Sequence, residues 1–167
     1  AVTVRSDREL QRLIDGTRRS GRPLPPLDLR GGDLARTLGL SSAPAAGAGS
    51  RGRILPIDLG KVTIGDEQHW FAAHLVARRS WWTGPVIAAM NAQFVGEWDV
   101  APRSHPNDGR LDVFEVAAKM PITDRWRARR RLPLGTHVPH PAISTQRLDR
   151  LSIEAGDRTR VLSTAST

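Results

Sequence analysis

An α+β fold is what this sequence predicts: mainly an antiparallel β-sandwich carrying one short basic helix, with a small, incomplete α/β segment ahead of it. Three observations lead there. Beyond residue 53 the apolar residues run in short stretches, at 54–64, 69–77, 86–95, 111–116, 138–145 and 148–154, separated by Gly or Pro, which is the texture of strands. Before residue 41 the texture is different, with Leu10, Leu13 and Ile14 at helical spacing. Between the two lies SSAPAAGAGSRG, a run of small residues with linker composition. Residues 1–40 therefore read as an abbreviated α/β segment, 41–52 as a linker and 53–167 as the β-sandwich domain.

The elements follow in order. A helix is expected over residues 7–19, with Ser6 or Asp7 as its cap and Gly21-Arg22-Pro23 as its stop. The proline-rich stretch 23–29 reads as extended, and a second helix starts at Asp33 and ends at Gly39. Gly65-Asp66 and Asn107-Asp108-Gly109 are turn signals between strands. One helix interrupts the strands at 124–132, where Thr123 is placed to cap and Pro133-Leu134-Gly135 to stop it.

Composition narrows the chemistry. At 167 residues the chain fits one domain, or one with a small appendage, and is long enough to bury a substantial core. It has no cysteine, which removes disulfides, Cys-ligated zinc and thiol catalysis. No stretch approaches the roughly 20 apolar residues of a membrane span, and the first ten residues are too polar for a signal peptide, so a cytoplasmic location is expected. Lys and Arg number 25 against 17 Asp and Glu, and all but Lys61 and Lys119 of the cations are Arg. Such a surplus favours acidic partners, whether phosphate ligands, anionic lipid or nucleic acid. A general arginine bias would give the same number, and no recognised nucleic-acid module is present.

Several motifs stand in a telling order. Met90-Asn91-Ala92-Gln93-Phe94-Val95-Gly96 is followed by Val100-Ala101-Pro102 and by Pro106-Asn107-Asp108-Gly109-Arg110-Leu111-Asp112-Val113; further on comes Gly135-Thr136-His137-Val138-Pro139-His140-Pro141. Upstream are Gly31-Gly32-Asp33-Leu34-Ala35-Arg36-Thr37-Leu38-Gly39 and Leu55-Pro56-Ile57-Asp58-Leu59-Gly60. Together they resemble the diacylglycerol kinase, sphingosine kinase and YegS-like lipid kinases, within the NAD kinase and diacylglycerol kinase superfamily. The later pieces are similar to that family's C-terminal β-sandwich, and the Gly31 segment to its G-N-D-F-A-R-x-L-G helix start.

The resemblance implies a nucleotide-binding part over residues 1–40, a sandwich, and transfer of the ATP γ-phosphate to a lipid hydroxyl, with ATP and Mg²⁺ as cofactors. It points to Asp7, Gly31, Gly32 and Asp33 as nucleotide contacts and to Asp108 and Asp112 as metal ligands. The departures are as informative. Where the family has its phosphate-cradling G-G-D-G-T, this chain has Arg5-Ser6-Asp7-Arg8-Glu9, and only Asp7 matches. Glycines there allow a backbone to wrap phosphate, and side chains do not. A second register makes Gly31-Gly32-Asp33 that signature itself. Near the end, Glu154-Ala155-Gly156-Asp157 is a poor match to the family's D-G-E strand. The expectation is a degenerate relative with doubtful catalysis, the alternative being a non-catalytic module for an anionic lipid, a phosphate ligand or a protein.

Each remaining constellation has two readings. His137, His140 and His105 are closer to loop histidines than to a zinc set, with Pro139 and Pro141 interleaved and no Cys. Asp108 and Asp112 either coordinate Mg²⁺ or sit in a turn and on a solvent-facing strand. The arginine-rich helix around Trp126, with Arg127, Arg130 and Arg131, is either a solvated face or a surface for anionic membrane, which would make the protein peripheral to a membrane. Trp81-Trp82 is interfacial or packed.

Overall fold

The computed structural model describes residues 1–40, 54–64, 66–152 and 160–163. The expected linker at 41–52, Gly65 of one expected turn and the segment 154–157 lie outside them.

Strand β1 (Val2–Val4) leads into helix α1 (Asp7–Arg19), which returns the chain to β2 (Leu27–Leu29), and β1 and β2 pair in parallel. This is a βαβ unit, the connection that parallel strands require. Helix α1 begins where its capping chemistry dictates: Ser6 Oγ accepts the Glu9 N–H, and the Glu9 carboxylate accepts the Arg5 N–H at 2.7 Å. Its buried face, Leu10, Gln11 and Ile14, follows the spacing seen in sequence. Helix α2 (Asp33–Thr37) is shorter than expected, closing in a turn at Leu38 before Gly39 with φ +70°.

The remainder is mostly antiparallel. Strands β5 (His74–Arg78), β6 (Val86–Met90), β9 (Leu111–Val116), β10 (Ile143–Leu148) and β11 (Arg160–Ser163) form one sheet in the order β10-β9-β6-β5-β11. Two hairpins, β3–β4 (Gly60–Ile64 and Glu67–Phe71) and β7–β8 (Phe94–Val95 and Trp98–Asp99), accompany it. Side chains alternate across β6, so Ala88 and Met90 join a cluster with Val76, Val100 and Ala101, while Ala89 joins Phe71, Leu75 and Val113 on the other face. The β3–β4 hairpin contributes Val62 and Phe71 to the second cluster, and Val95 and Trp98 of β7–β8 pack on the first. Apolar layers on both faces of the sheet give the sandwich-like α+β architecture that the sequence predicts.

Several expected boundaries shift: the run 54–64 is strand only from Gly60, the run 86–95 divides into β6 and β7, and of the run 148–154 residues 149–152 form no strand while 153–154 lie outside the described residues. The strand expected at 138–145 starts only at Ile143, because Pro139 and Pro141 lack the N–H that a ladder needs. The run 69–77 divides at Ala72-Ala73, where the Ala73 carbonyl accepts both the Asn91 and the Ala92 N–H. Helix α3 (Ile122–Arg131) opens two residues before the expected start, with Pro121 and not Thr123 as its cap. The fixed φ of proline, here −58°, suits a helix entry without a side-chain cap. Its stop is as expected: a 3₁₀ turn at Leu132–Leu134, then Gly135 at φ +64°.

A third cluster joins the first forty residues to the later ones. Val4, Leu10, Ile14, Leu29, Leu34 and Ala35 pack with Ala72, Ala73 and Ala92. Ile14, fully buried at this junction, is expected to cost about 2–5 kcal/mol when replaced by Ala, measurable by denaturant unfolding, because the cavity left behind adds to the lost transfer energy.

Candidate functional site

Parallel pairing places the C-terminal ends of β1 and β2 at one edge, and the chain leaves both ends into helices. Asp7, the first residue of α1, therefore meets the Gly31-Gly32-Asp33 segment that opens α2. The Asp7 carboxylate accepts the Asp33 N–H at 2.6 Å and is also bonded by the Leu34 N–H. Burial nevertheless pushes its pKa up. The two glycines are needed for this approach: a Cβ on Gly31 would stand 2.3 Å from the Arg5 carbonyl oxygen, and one on Gly32, which has φ +93°, 2.5 Å from the Asp7 carboxylate. The four sequence-predicted nucleotide contacts are thus brought together, and the two registers open in the sequence meet at one place.

What they form is closed upon itself. At the start of α2 the Asp33 and Leu34 N–H groups are taken by Asp7, at the start of α1 the Glu9 N–H is taken by Ser6, and a Cβ on Gly31 or Gly32 would collide with protein. Asp33 adds a second carboxylate. An anion such as the ATP triphosphate is favoured by N–H donors and positive charge, and the two partly buried carboxylates of Asp7 and Asp33 oppose it here.

Asp33 instead docks α2 onto the sandwich. Its carboxylate accepts the Gly96 N–H at 3.0 Å; beside it Arg36 donates to the Gly96 carbonyl at 2.7 Å and lies 3.8 Å over the Phe94 ring, while Thr37 Oγ accepts the Gln93 N–H. Nδ1 of His74 is 3.8 Å from the Asp33 carboxylate. Burial lowers the His74 pKa to about 4, so near neutrality this imidazole carries no charge to balance Asp33. Desolvation is then the largest influence on Asp33 and raises its pKa to about 6, with Asp7 pushing the same way against the Gly96 bond.

Asp108 and Asp112 also come together, with a cation already between them. Arg147 of β10 reaches both carboxylates, pairing with Asp108 and lying 3.3 Å from Asp112. Asp108 additionally accepts the Arg110 N–H, and the Gly109 N–H is held by Asp58 at 2.7 Å, which defines the expected turn. Burial raises the Asp112 pKa, opposed by Arg147. Among the described residues no group of three or more His, Asp or Glu could hold a metal ion, and a guanidinium shared by the two carboxylates occupies the place that Mg²⁺ would need.

Helix α3 sorts its arginines by face. Trp126 is 51% and Ile122 58% exposed, with the Arg130 guanidinium 4.7 Å over the Trp126 ring. Arg127 and Arg131 are exposed beside them, Arg127 pairing with Asp124 at 3.1 Å. Arg129 turns back over Trp98 and Trp82, at 4.8 and 5.6 Å. Arg125 points fully inward and donates to four backbone carbonyls, those of Met120, Trp81, Gly84 and Ala117, at 3.1, 3.2, 2.5 and 2.9 Å. Nothing in the arginine run distinguished Arg125 in sequence except its place one helical turn before Arg129 and Ala128. The Trp81-Trp82 pair also divides, Trp81 packing edge-on against Trp98 and Trp82 being 39% exposed.

The sequence also gave no site role to Asn91. It is fully buried and donates its Nδ2 to the carbonyls of Asp58 and Ala72 at 2.9 and 2.7 Å, tying the segment before β3 to the sheet.

A β-rich domain of two-sided antiparallel sheet, closed by a basic helix and entered through a short βαβ unit, is the class of protein that this geometry defines. A family model for the YegS C-terminal NAD kinase β-sandwich-like domain matches residues 61–165. The chain belongs to that family and so has a lipid-kinase relationship. Asp7, Gly31, Gly32 and Asp33 lie outside the matched residues, whereas Asp108, Asp112 and the α3 arginines lie within them. No curated protein matches the chain.

The raised Asp33 pKa sets a pH dependence. The unfolded carboxyl titrates near 3.8 and the folded one near 6, so the folded state binds the proton more tightly. Its favourable contribution is complete below about pH 4 and is lost as pH rises through 6. Asp33→Asn, which keeps an oxygen for the Gly96 N–H, should therefore raise the melting temperature at pH 8 relative to the unmodified chain, with the advantage shrinking towards pH 4; thermal melts across this range measure it.

Proposed function

We propose that this chain is a lipid-directed member of its family that meets an anionic membrane surface through α3, and that it binds ATP and Mg²⁺ weakly or not at all. The observation that carries the first part is the outer face of α3. Two exposed apolar residues, Ile122 and Trp126, stand one turn apart beside Arg127, Arg130 and Arg131, with Leu134 75% exposed just beyond. An indole and an aliphatic chain can enter the headgroup layer while guanidinium groups stay at phosphate level. Each basic residue near such a surface contributes on the order of 1 kcal/mol, so the cluster would hold the protein weakly and reversibly. No helix among the described residues is long and apolar enough to cross a membrane, which leaves a surface attachment as the natural mode for this face.

The second part rests on the self-capped α1 terminus, the two carboxylates Asp7 and Asp33, and Arg147 between Asp108 and Asp112. ATP-dependent phosphorylation of a lipid hydroxyl is the second reading, favoured by the family relationship. ATP and Mg²⁺ titration by calorimetry separates the two: micromolar affinity, followed by phosphate transfer to a diacylglycerol, would sink the non-catalytic reading.

Co-sedimentation with vesicles containing phosphatidylserine at low salt is expected to recover the protein, and high salt to release it because exposed charges are screened. Replacing Arg127, Arg130 and Arg131 together by Gln should abolish sedimentation without lowering the melting temperature, since all three are exposed. Trp126→Ala should weaken it while leaving its salt dependence. If the unmodified chain does not sediment at low salt, α3 is a solvated face and the membrane reading is wrong.

A further inference from the structure

Helix α3 lies over an apolar cavity with His137 in its wall and shows apolar residues beside its outer arginines. Helix α1 presents a different cationic face. With about 3.6 residues per turn, Arg8, Arg12 and Arg19 fall within about 40° of one another, opposite the buried Leu10 and Ile14. Arg5 just before the helix and Arg22 just after it stand at its two ends, and all five are exposed. Arg18 is set apart, lying 4.5 Å over the Trp70 ring. Carboxylates do not neutralise the row: among the described residues Arg5, Arg12, Arg19 and Arg22 form no ion pair. The two acids on this side are committed to the helix, Glu9 to the Arg5 N–H and Asp15 to Gln11 Nε2 at 3.1 Å.

Nε of Arg12 and of Arg19 donates to the Arg8 and Asp15 carbonyls at 3.4 and 3.3 Å, and Nε of Arg22 to Ser20 Oγ at 3.3 Å. Each stem is thereby held by its own segment, and the Nη groups remain as donors. A general arginine bias explains how many cations there are, but it leaves them free to pair with acids, as Arg127 does with Asp124. Like charges in a row repel one another, and a bound polyanion replaces that repulsion by attraction. Of the residues that α1 exposes, Arg8, Glu9, Arg12, Gly16, Arg18 and Arg19, none is apolar or aromatic. The face has no anchor for a hydrocarbon layer and no ring on which an unpaired base could stack. Planar guanidinium forks match phosphate oxygens, and a straight row of them suits a chain of phosphates. A net charge of +8 with arginines gathered along one helix is the electrostatic footprint of such binding. We propose that the α1 face binds the phosphodiester backbone of a nucleic-acid duplex without reading its sequence. This binding depends on neither the membrane reading of α3 nor any reading of ATP.

The test titrates the full chain into a fluorescently labelled DNA duplex of mixed sequence, read by anisotropy over a series of salt concentrations. With four unpaired arginines engaged, log affinity against log salt should fall with a slope of roughly −3.6, about −0.9 for each phosphate neutralised. Replacing Arg12, Arg19 and Arg22 together by Gln should bring the slope to roughly −0.9, and replacing the same three by Lys should keep most of it. A duplex of scrambled sequence should bind equally well. The chain with Arg127, Arg130 and Arg131 replaced by Gln should bind the duplex as the unmodified chain does, which separates this face from α3. Sedimentation with phosphatidylserine vesicles should be unchanged by the α1 replacements; its loss would make α1 a membrane face and overturn the proposal. An absence of duplex binding at low salt, an unchanged slope in the α1 Gln variant, or loss of duplex binding in the α3 variant would overturn it too. Should the triple Gln variant fail to fold, the three single replacements, each lowering the slope by about 0.9, decide the matter.

Discussion

The guanidinium of Arg125 holds the functional end of this molecule together. Four backbone carbonyls converge on it, from the β5–β6 connection at Trp81 and Gly84 and from the β9–α3 connection at Ala117 and Met120. Each of these carbonyls lies in a connection between elements, where no strand ladder runs, and a buried arginine offers five donors in a fixed fork. The cation is sequestered, yet its hydrogen bonds are made, which is the condition under which buried charge is tolerated. With Arg125 seated, α3 lies across one face of the sheet, Ala128 and Leu132 close over the apolar layer, and Trp126, Arg127, Arg130 and Arg131 are left outside. The outward face and the cavity beneath it are thus two consequences of one inward arginine.

A comparable economy governs the other end. Asp7 receives the first amides of α2, Asp33 receives Gly96, and Arg36 and Thr37 complete the hold on residues 93–96. The carboxylates that the family resemblance assigns to nucleotide serve here to close the βαβ unit and to fasten it to the sandwich. Both have pKa values raised by burial, so the fastening is made at an electrostatic cost that a bound cation or a charged histidine would have removed. His74 does not remove it, because burial keeps its imidazole neutral. Likewise Arg147, in bridging Asp108 and Asp112, joins β10 to the turn before β9 through the two carboxylates for which the family resemblance implies Mg²⁺.

Local chemistry was legible in the sequence. A cap at Ser6 or Asp7 marked the start of α1, apolar spacing identified Leu10 and Ile14 on its buried face, and the strand Leu111–Val116 and the Asn107-Asp108-Gly109 turn followed from patterning and turn residues alone. The order of the family motifs pointed to the family whose model matches residues 61–165. The helix cap, the buried face, the strand and the turn each rest on residues within a few positions of one another, where covalent connection already restricts the geometry. The start of α3 was misplaced because a Thr with capping chemistry followed a Pro with entry geometry, and both are legitimate helix starts.

Only the tertiary structure decided which members of a motif face which partner. Arg125 and Arg127 are two residues apart in one basic run, and a helix turns about 200° between them, so one is buried under carbonyls while the other meets solvent. His137 and His140 share a motif, yet His140 Nδ1 accepts the Ala142 N–H and the nitrogens of His137 are left to a cavity. Asp7 meets Asp33 across 26 positions, and Asp108 meets Arg147 across 39. The residue types and their local conformations belong to the sequence, since each follows from near neighbours. Which charge is buried, paired or exposed belongs to the fold, because desolvation and Coulomb attraction depend on groups that only long-range packing brings together.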